Sequence, residues 1–299
     1  MNHRWKAREV FLSVRAVLLG SVLTAGLTSQ ASASFITFES ASPTAAGITP
    51  TRDAFRSAVG GGAVAGANGD FGGLRREINW DGVPDLFSDP NLLPANFFNV
   101  NSPRGVVFST PGTGFLVSAN AGLATPPLFG FPNDFQTFSP QKLFTAVNSN
   151  TTDVNFFVPG TTTAATTSAF GLIFMDTEVA NLTQIQFFDV ANNLIYSRFA
   201  LVAGNQGFTF LGGEATAGEQ IARVRITSGL NTIVSNGVLG NPNDDVVVMD
   251  DFIFATPLPT SAATPEPSSL SLLGVGTLVL SFVRKKLRSS YPIHSGSVS

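Results

Sequence analysis

The densest group of side chains able to do chemistry is the run Arg75-Arg76-Glu77-Ile78-Asn79-Trp80-Asp81-Gly82-Val83-Pro84. As a ligand site, Trp80 would stack on a sugar ring while Arg76, Asn79 and Asp81 hydrogen-bond its hydroxyls. As structure, Trp80 would fill the core, Arg76 would pair with Glu77 or Asp81, and Asp81-Gly82 would make a turn. A second polar group, Asn243-Asp244-Asp245 leading to Met249-Asp250-Asp251-Phe252, enters a run with strand character. Strict alternation would set Val246, Val248, Asp250, Phe252 and Phe254 on one face and Val247, Met249, Asp251 and Ile253 on the other. One aspartate must then point toward a mostly apolar side, which is costly unless the carboxylate is paired or holds a metal. Calcium accepts such oxygens in flexible numbers. The competing partner is an arginine, Arg223 or Arg225, on a neighbouring predicted strand.

Several chemistries are excluded by what the chain lacks. It has no cysteine, so disulfides and thiolate metal sites are absent. The two histidines, His3 and His294, lie in segments that read as signal and tail, which removes imidazole from any catalytic or zinc role in the domain between them. The usual serine triad is then out of reach, and Lys142, the only lysine between the two ends, sits in no Ser-x-x-Lys pattern. Carboxylates remain: Glu77, Asp81, Asp176, Glu178 and Asp189 are candidates for glycoside hydrolysis, without a motif to select among them. The glycine runs Gly60-Gly61-Gly62 and Gly72-Gly73 are not followed by Gly-Lys-Ser or Gly-Lys-Thr and read as loop rather than phosphate cradle. The net charge of −3, with no basic cluster in the middle of the chain beyond Arg75 and Arg76, gives no field for a polyphosphate, so nucleic acid is not an expected partner.

The elements that would position these groups are β-strands. Short β-branched or aromatic runs alternate with Gly, Pro and Asn clusters, and helical periodicity is scarce. The predicted strands are Phe35–Phe38, Gly105–Phe108, Gly114–Ser118, Val154–Val158, Phe170–Met175, Gln184–Asp189, Leu194–Leu201, Gly207–Leu211, Ile221–Thr227 and Val246–Phe254. Asp189–Asn193 and Ala203–Gly207 read as hairpin turns, and Arg52–Val59 as a short helix within a loop-rich stretch from 40 to 100. The expected fold class is all-β, a jelly-roll-like antiparallel β-sandwich with a loop-rich N-terminal insertion. The 27 phenylalanines would form most of its core. Only 12% of residues are charged, so Ser, Thr, Asn and Gly cover much of the surface, as suits a protein among sugars or other uncharged polymers.

Both ends read as addresses. Arg4, Lys6, Arg8 and Arg15 precede an apolar run, Ala16–Leu27, and Ala31-Ser32-Ala33 supplies the small residues of a signal-peptidase site, which sets a secretory signal at 1–33 with cleavage after Ala33. The apolar run is short beside the ~20 residues that a spanning anchor needs. A β-sandwich domain is expected over 34–256, a Pro-rich linker over 257–267, an apolar helix with a basic cluster over 268–288, and a tail over 289–299. Arg284, Lys285, Lys286 and Arg288 would keep the helix end cytoplasmic and the domain outside the inner membrane.

The order Pro265-Glu266-Pro267, apolar helix, basic cluster resembles the PEP-CTERM sorting signal. That resemblance implies recognition by an exosortase after export through signal peptidase, transient anchoring in the inner membrane, and delivery to the cell envelope, outer surface or exopolysaccharide matrix. Proteins of this type usually stop soon after the basic cluster, whereas Ser289–Ser299 continue here. The aspartates of the last predicted strand resemble those of β-sandwich carbohydrate-binding modules, in which acids on the first and last strands share a structural calcium. Carried over, this implies a site of Glu39 with one or both of Asp250 and Asp251, and Asp176 or backbone carbonyls would complete the shell. The expected function is a non-enzymatic glycan-binding or structural sandwich. The alternative is a carboxylate-dependent hydrolase of extracellular polysaccharide.

Overall fold

In the computed structural model the described residues are 33–120, 127–233 and 245–260. Residues 1–32 of the signal, the PEP motif, the apolar helix, the basic cluster and Asn243-Asp244 lie outside them. Two antiparallel sheets face one another. The larger runs β1 (Phe35–Ser42), β12 (Phe208–Ala215), β9 (Ala169–Met175), β14 (Val248–Ala255), β3 (Arg75–Ile78) and β2 (Asp70–Phe71). Next to β14 it also carries β6 (Phe144–Val147), which pairs in turn with β5 (Gly114–Val117). The smaller runs β11 (Leu194–Phe199), β10 (Gln184–Phe188), β13 (Arg223–Thr227), β7 (Thr151–Phe156) and β4 (Val106–Ser109). A two-residue pair, β8 (Ala165–Thr166) with β15 (Leu258–Pro259), stands apart. This is the all-β sandwich expected from the strand spacing.

One core lies between the sheets. Val154, Ile185, Phe187, Val224 and Ile226 reach it from the small sheet, and Phe170, Leu172, Phe174, Leu211 and Phe252 from the large one. A second core lies on the outer face of the large sheet, where α1 (Ala45–Val59) lays Ile48 and Phe55 against Ile173, Phe210 and Ile253. The large sheet is therefore covered on both faces, and β9, Ala-Phe-Gly-Leu-Ile-Phe-Met, is buried along its whole length, as a continuous apolar run requires. The outer face of the small sheet meets solvent, and β10 and β13 alternate buried with half-buried positions. Gly171 and Gly212 are cross-strand partners directly beneath Phe55. A Cβ on Gly171 would meet Phe55 Cε1 and Phe210 Cζ at 3.0 Å, so the close seat of α1 needs both glycines bare.

The segment from 40 to 100 wraps the sandwich, as expected, but contributes more order than its loops suggested. The helix begins at Ala45, seven residues before the predicted Arg52, and ends where Gly60 takes φ 88°. A further short helix, α2 (Phe97–Val100), packs on β4. The strands β3 and β6 were not expected, the first because Arg-Arg-Glu-Ile carries little β signal and the second because it is short. The Asp189–Asn193 turn closes the β10–β11 hairpin, with Asp189 Oδ1 accepting from the N–H of Ala191 and of Asn193. Ala203–Gly207 is not a hairpin turn. It is the corner by which the chain leaves β11 in the small sheet and enters β12 in the large one.

Candidate functional site

Strict alternation fails in β14, and the failure builds the site. Val248 and Met249 pair with Met175 and Phe174, while Phe252 pairs with Leu172, so Asp250 and Asp251 together oppose Ile173 in a β-bulge. Met249, Phe252 and Phe254 enter the inter-sheet core, and Val248 and Ile253 the outer core. The predicted faces therefore hold before the aspartates and shift by one after them. At the same point β14 changes its other neighbour: Met249 pairs with Phe144 of β6, and Phe252–Ala255 pair with β3.

Trp80 fills the gap between β3 and β6. Its indole lies parallel to the Phe144 ring, centroids 4.0 Å apart, meets Phe98 and Phe252 edge-on, and donates Nε1–H to the carbonyl of Asp250 at 2.9 Å. The bulge leaves that carbonyl without a ladder partner, so the indole satisfies it. At 1% exposure and with its face taken by Phe144, Trp80 is no platform for a sugar. This corrects the ligand-binding role considered for it. Asp81 is likewise structural: it accepts from the backbone N–H of Gln141 at 2.6 Å and of Lys142 at 3.1 Å, and its pKa is raised because burial outweighs those bonds. The Val83 N–H to Trp80 carbonyl bond closes the expected turn through Asp81-Gly82.

The aspartates meet at Ser139. Its Oγ lies 2.9 Å from Asp250 Oδ1 and 2.8 Å from Asp251 Oδ1, and Asp250 Oδ2 accepts from the Phe138 N–H at 2.6 Å. A hydroxyl has one hydrogen to share between the two carboxyls, an arrangement that favours a proton on the pair. The electrostatics agree. Burial first, then the charge of Asp251, pushes Asp250 well above the usual carboxylate range, and burial raises Asp251 too. The two act as one acid pair.

Around this pair stand five of the eight arginines found between residues 34 and 256. Arg75 and Glu77, two apart on β3, share a face and bond at 2.7 Å. Arg75 also donates to the carbonyls of Arg56, Gly60 and Gly62, closing the C-terminus of α1, while Arg56 grips Glu77 with two nitrogens. Arg76 turns the other way, to Asp70 Oδ2 at 3.4 Å and the Pro103 carbonyl at 3.2 Å, not to Glu77 or Asp81. Arg104 donates to the Glu77 carbonyl and lies 4.9 Å over the Phe98 ring. Arg52 lies 4.9 Å over Phe138. The basic cluster, which in sequence seemed limited to Arg75 and Arg76, is assembled in space from α1, β3 and the loop before β4.

These groups enclose a cavity of about 600 Å³ lined by Arg52, Asn68, Phe71, Asn79, Ser139 and Asp251 among others. A second, of about 330 Å³, lies beside it, with Trp80, Phe87, Phe97 and Phe98 in its wall, and Asn79 and Arg104 line both. Of the predicted ligand residues, Asn79 alone keeps a place that a ligand could reach in both cavities.

The predicted calcium set is not brought together. Glu39 faces Arg198 across the sandwich edge, with Arg198 Nε to Glu39 Oε2 at 2.8 Å. Asp176 accepts from the Gln206 N–H at 2.7 Å, and burial, then the neighbouring Glu178, Asp134 and Asp245, raises its pKa to about 7. Among the described residues no three His, Cys, Asp or Glu side chains are placed to hold a metal ion. The competing arginines do not serve Asp250 or Asp251 either: Arg225 and Arg223 both bond Asp153 on the neighbouring strand β7. Lys142 is 0% exposed and spends its ammonium on the Val83 carbonyl and Ser88 Oγ.

Comparison with known proteins adds information at one end of the chain. Residues 263–286 match the PEP-CTERM protein-sorting motif, which supports an exported, cell-envelope-associated protein sorted by an exosortase. No curated protein matches the chain. A GH26-CBM35 β-(1,4)-mannanase from Podospora anserina is similar at 14% identity and a TM-score of 0.23, over 55% of this chain and 29% of its own. The chain thus spans under a third of that protein's length, and a likeness at this level carries no argument about fold or activity. Among the described residues no helix is long and apolar enough to cross a membrane.

Proposed function

We propose that the sandwich is a non-enzymatic glycan-binding module of the cell surface or matrix, and that the ligand enters the cavity beside the β14 bulge. The observation that carries this reading is the wall of the 600 Å³ cavity, where hydrogen-bonding side chains, Arg52, Asn68, Asn79 and Ser139, are interleaved with the rings of Phe71 and Phe138. A polyhydroxy ligand asks for that combination: donors and acceptors for its hydroxyls and apolar faces for its C–H groups. Arg52 is mounted on α1, Asn68 and Asn79 on the segments before β2 and after β3, and Ser139 on the segment before β6, where hydrogen bonds to Asp250 and Asp251 hold it, so little ordering is left for the binding step. A glycan array probed with the exported protein tests the reading. Binding to a defined set of glycans, weakened by Asn68→Ala or Ser139→Ala, is the expected result. No binding to any glycan would leave a structural role.

The hydrolase is the second reading, and Asp251 favours it, as a carboxyl with a raised pKa that lines the same cavity. Release of reducing ends from a bound polysaccharide, abolished in Asp251→Asn, would establish it in place of binding alone.

A further inference from the structure

The two cavities meet at one residue whose charge has no partner. Arg104 lines both, and its guanidinium is partly buried between Gly69, Phe98 and the Glu77 carbonyl. Among the described residues no carboxylate lies within ion-pair distance of it, and its Nε–H is buried without an acceptor. Every other arginine of the group has an anion: Arg52 has Asp53, Arg56 and Arg75 have Glu77, and Arg76 has Asp70. The acids in the cavity wall are engaged as well, Glu77 by two arginines and Asp251 by Ser139. The uncompensated charge of the site is therefore the cation at the junction. Burial, followed by repulsion from Arg76 and only partly offset by the more distant Glu77 carboxylate, lowers its pKa to about 10, which leaves it charged at neutral pH. A buried cation without a counter-ion is unfavourable, and a structure that keeps one at the wall of an open groove is completed by an anion from outside.

We propose that the two cavities form one groove for an anionic polysaccharide, with the acidic group of one sugar received by Arg104 and flanking rings lodged on either side of it. The inference rests on the glycan-binding reading and names its ligand class: a polyhydroxy chain bearing carboxylate or sulfate. A guanidinium meets such a group with charge-assisted hydrogen bonds. Asn79 stands beside it in both walls, and Asn101 and Ser102 continue the polar lining into the second cavity. The domain as a whole is acidic, so long-range attraction does not bring the ligand in, and selectivity has to arise at this contact.

The test uses the exported protein and oligosaccharides of equal length in three arms: a uronate, a sulfated neutral sugar and an unmodified neutral sugar. Binding is followed by calorimetry and by the fluorescence of Trp80, which sits in the wall of the second cavity. At least one anionic arm should bind about tenfold or more tighter than the neutral arm, and the stronger of the two identifies the acid group. Arg104→Met should remove that advantage, with Arg104→Lys restoring part of it. Asn101→Asp, at an exposed position that does not threaten folding, should weaken anionic binding several-fold. Equal affinity for neutral and anionic arms, or an anionic preference untouched by Arg104→Met and Asn101→Asp, overturns the proposal while glycan binding stands. Absence of binding in all three arms overturns both.

Discussion

The two sheets treat charge in opposite ways. On the small sheet, Arg223 and Arg225 on β13 converge on Asp153 of β7, in register and on the solvent face, while every second residue beneath them is apolar and buried. Along β13 and β7 nothing departs from alternation, and the ion pairs decorate a surface that would stand without them. On the large sheet, charge is carried inside: Asp250 is 0% exposed and Asp251 4%, in a strand that is otherwise apolar. That is feasible only because a bulge takes both out of the ladder and Ser139, Phe138 and Trp80 supply the missing bonds. The site lies where the repeat is broken, and the regular sheet serves as its support.

The largest effect that would break this contrast is at Trp80. Trp80→Ala removes the indole stacked on Phe144 and leaves the Asp250 carbonyl unsatisfied, and should cost about 3–5 kcal/mol. Arg225→Ala on the small sheet should cost no more than about 1 kcal/mol, since its partner lies on the solvent face. Chemical denaturation of the two variants compares them directly. Similar losses would show that the bulge is no more demanding than the surface ladder.

The same contrast explains what could be read from the sequence. The strands from 169 to 255 were legible because their apolar runs repeat between turn residues, and the sorting motif at 263–286 because such a motif is local in sequence. The site was not, for two reasons. Its parts come from residues near 52–56, 75–81, 104, 139 and 250, and no local pattern ties such distant positions together. The bulge also inverts the assignment of faces after Asp251, so alternation carried through Asp250-Asp251 placed Phe252 and Ile253 on the wrong sides. A signal was present in the acid doublet itself: two consecutive carboxylates in an apolar strand cannot both be accommodated by a regular ladder. Trp80 stayed open between ligand platform and core plug because a tryptophan among polar neighbours looks the same in sequence whether it faces solvent or plugs a junction.

An intermediate effect concerns pH. Burial and three nearby acids raise Asp176 to about 7, against about 3.9 in an unfolded chain. A carboxyl with a raised folded pKa favours the folded state most below its unfolded value, and that contribution is lost as pH rises toward the folded one. Stability should therefore decline between about pH 4 and 7 through this group. Asp176→Asn, which keeps an acceptor for the Gln206 N–H, should lose less over that window. Each tenfold fall in proton concentration between the two pKa values is worth at most about 1.4 kcal/mol, so the two proteins should diverge by no more than about 4 kcal/mol. Urea unfolding of parent and variant at about pH 4.5 and about pH 7.5, either side of most of that window, measures the difference. A constant gap between them at both values would mean that Asp176 titrates normally and that the acids around it are too well solvated to matter.

The smallest effect is expected at Glu39, and it separates two accounts of the first strand. β1 is an edge of the large sheet and β11 an edge of the small one, and Glu39 and Arg198 span the gap, next to the hydrogen bond of Thr37 with Tyr196 at 2.9 Å. The arginine side chain is 49% exposed, so the pair works in near-aqueous dielectric and screening shortens its reach to about 8 Å at physiological salt. Glu39→Gln should lower stability by less than about 1 kcal/mol, and by less still at about 0.5 M salt. The melting temperature of the parent should be the same in calcium and in chelator, because Glu39 is engaged by Arg198 and stands apart from Asp250 and Asp251. A calcium-dependent rise in melting temperature that Glu39→Gln and Asp251→Asn both abolish would reunite the first and last strands around a metal. The ion pair would then be what forms when the metal is absent.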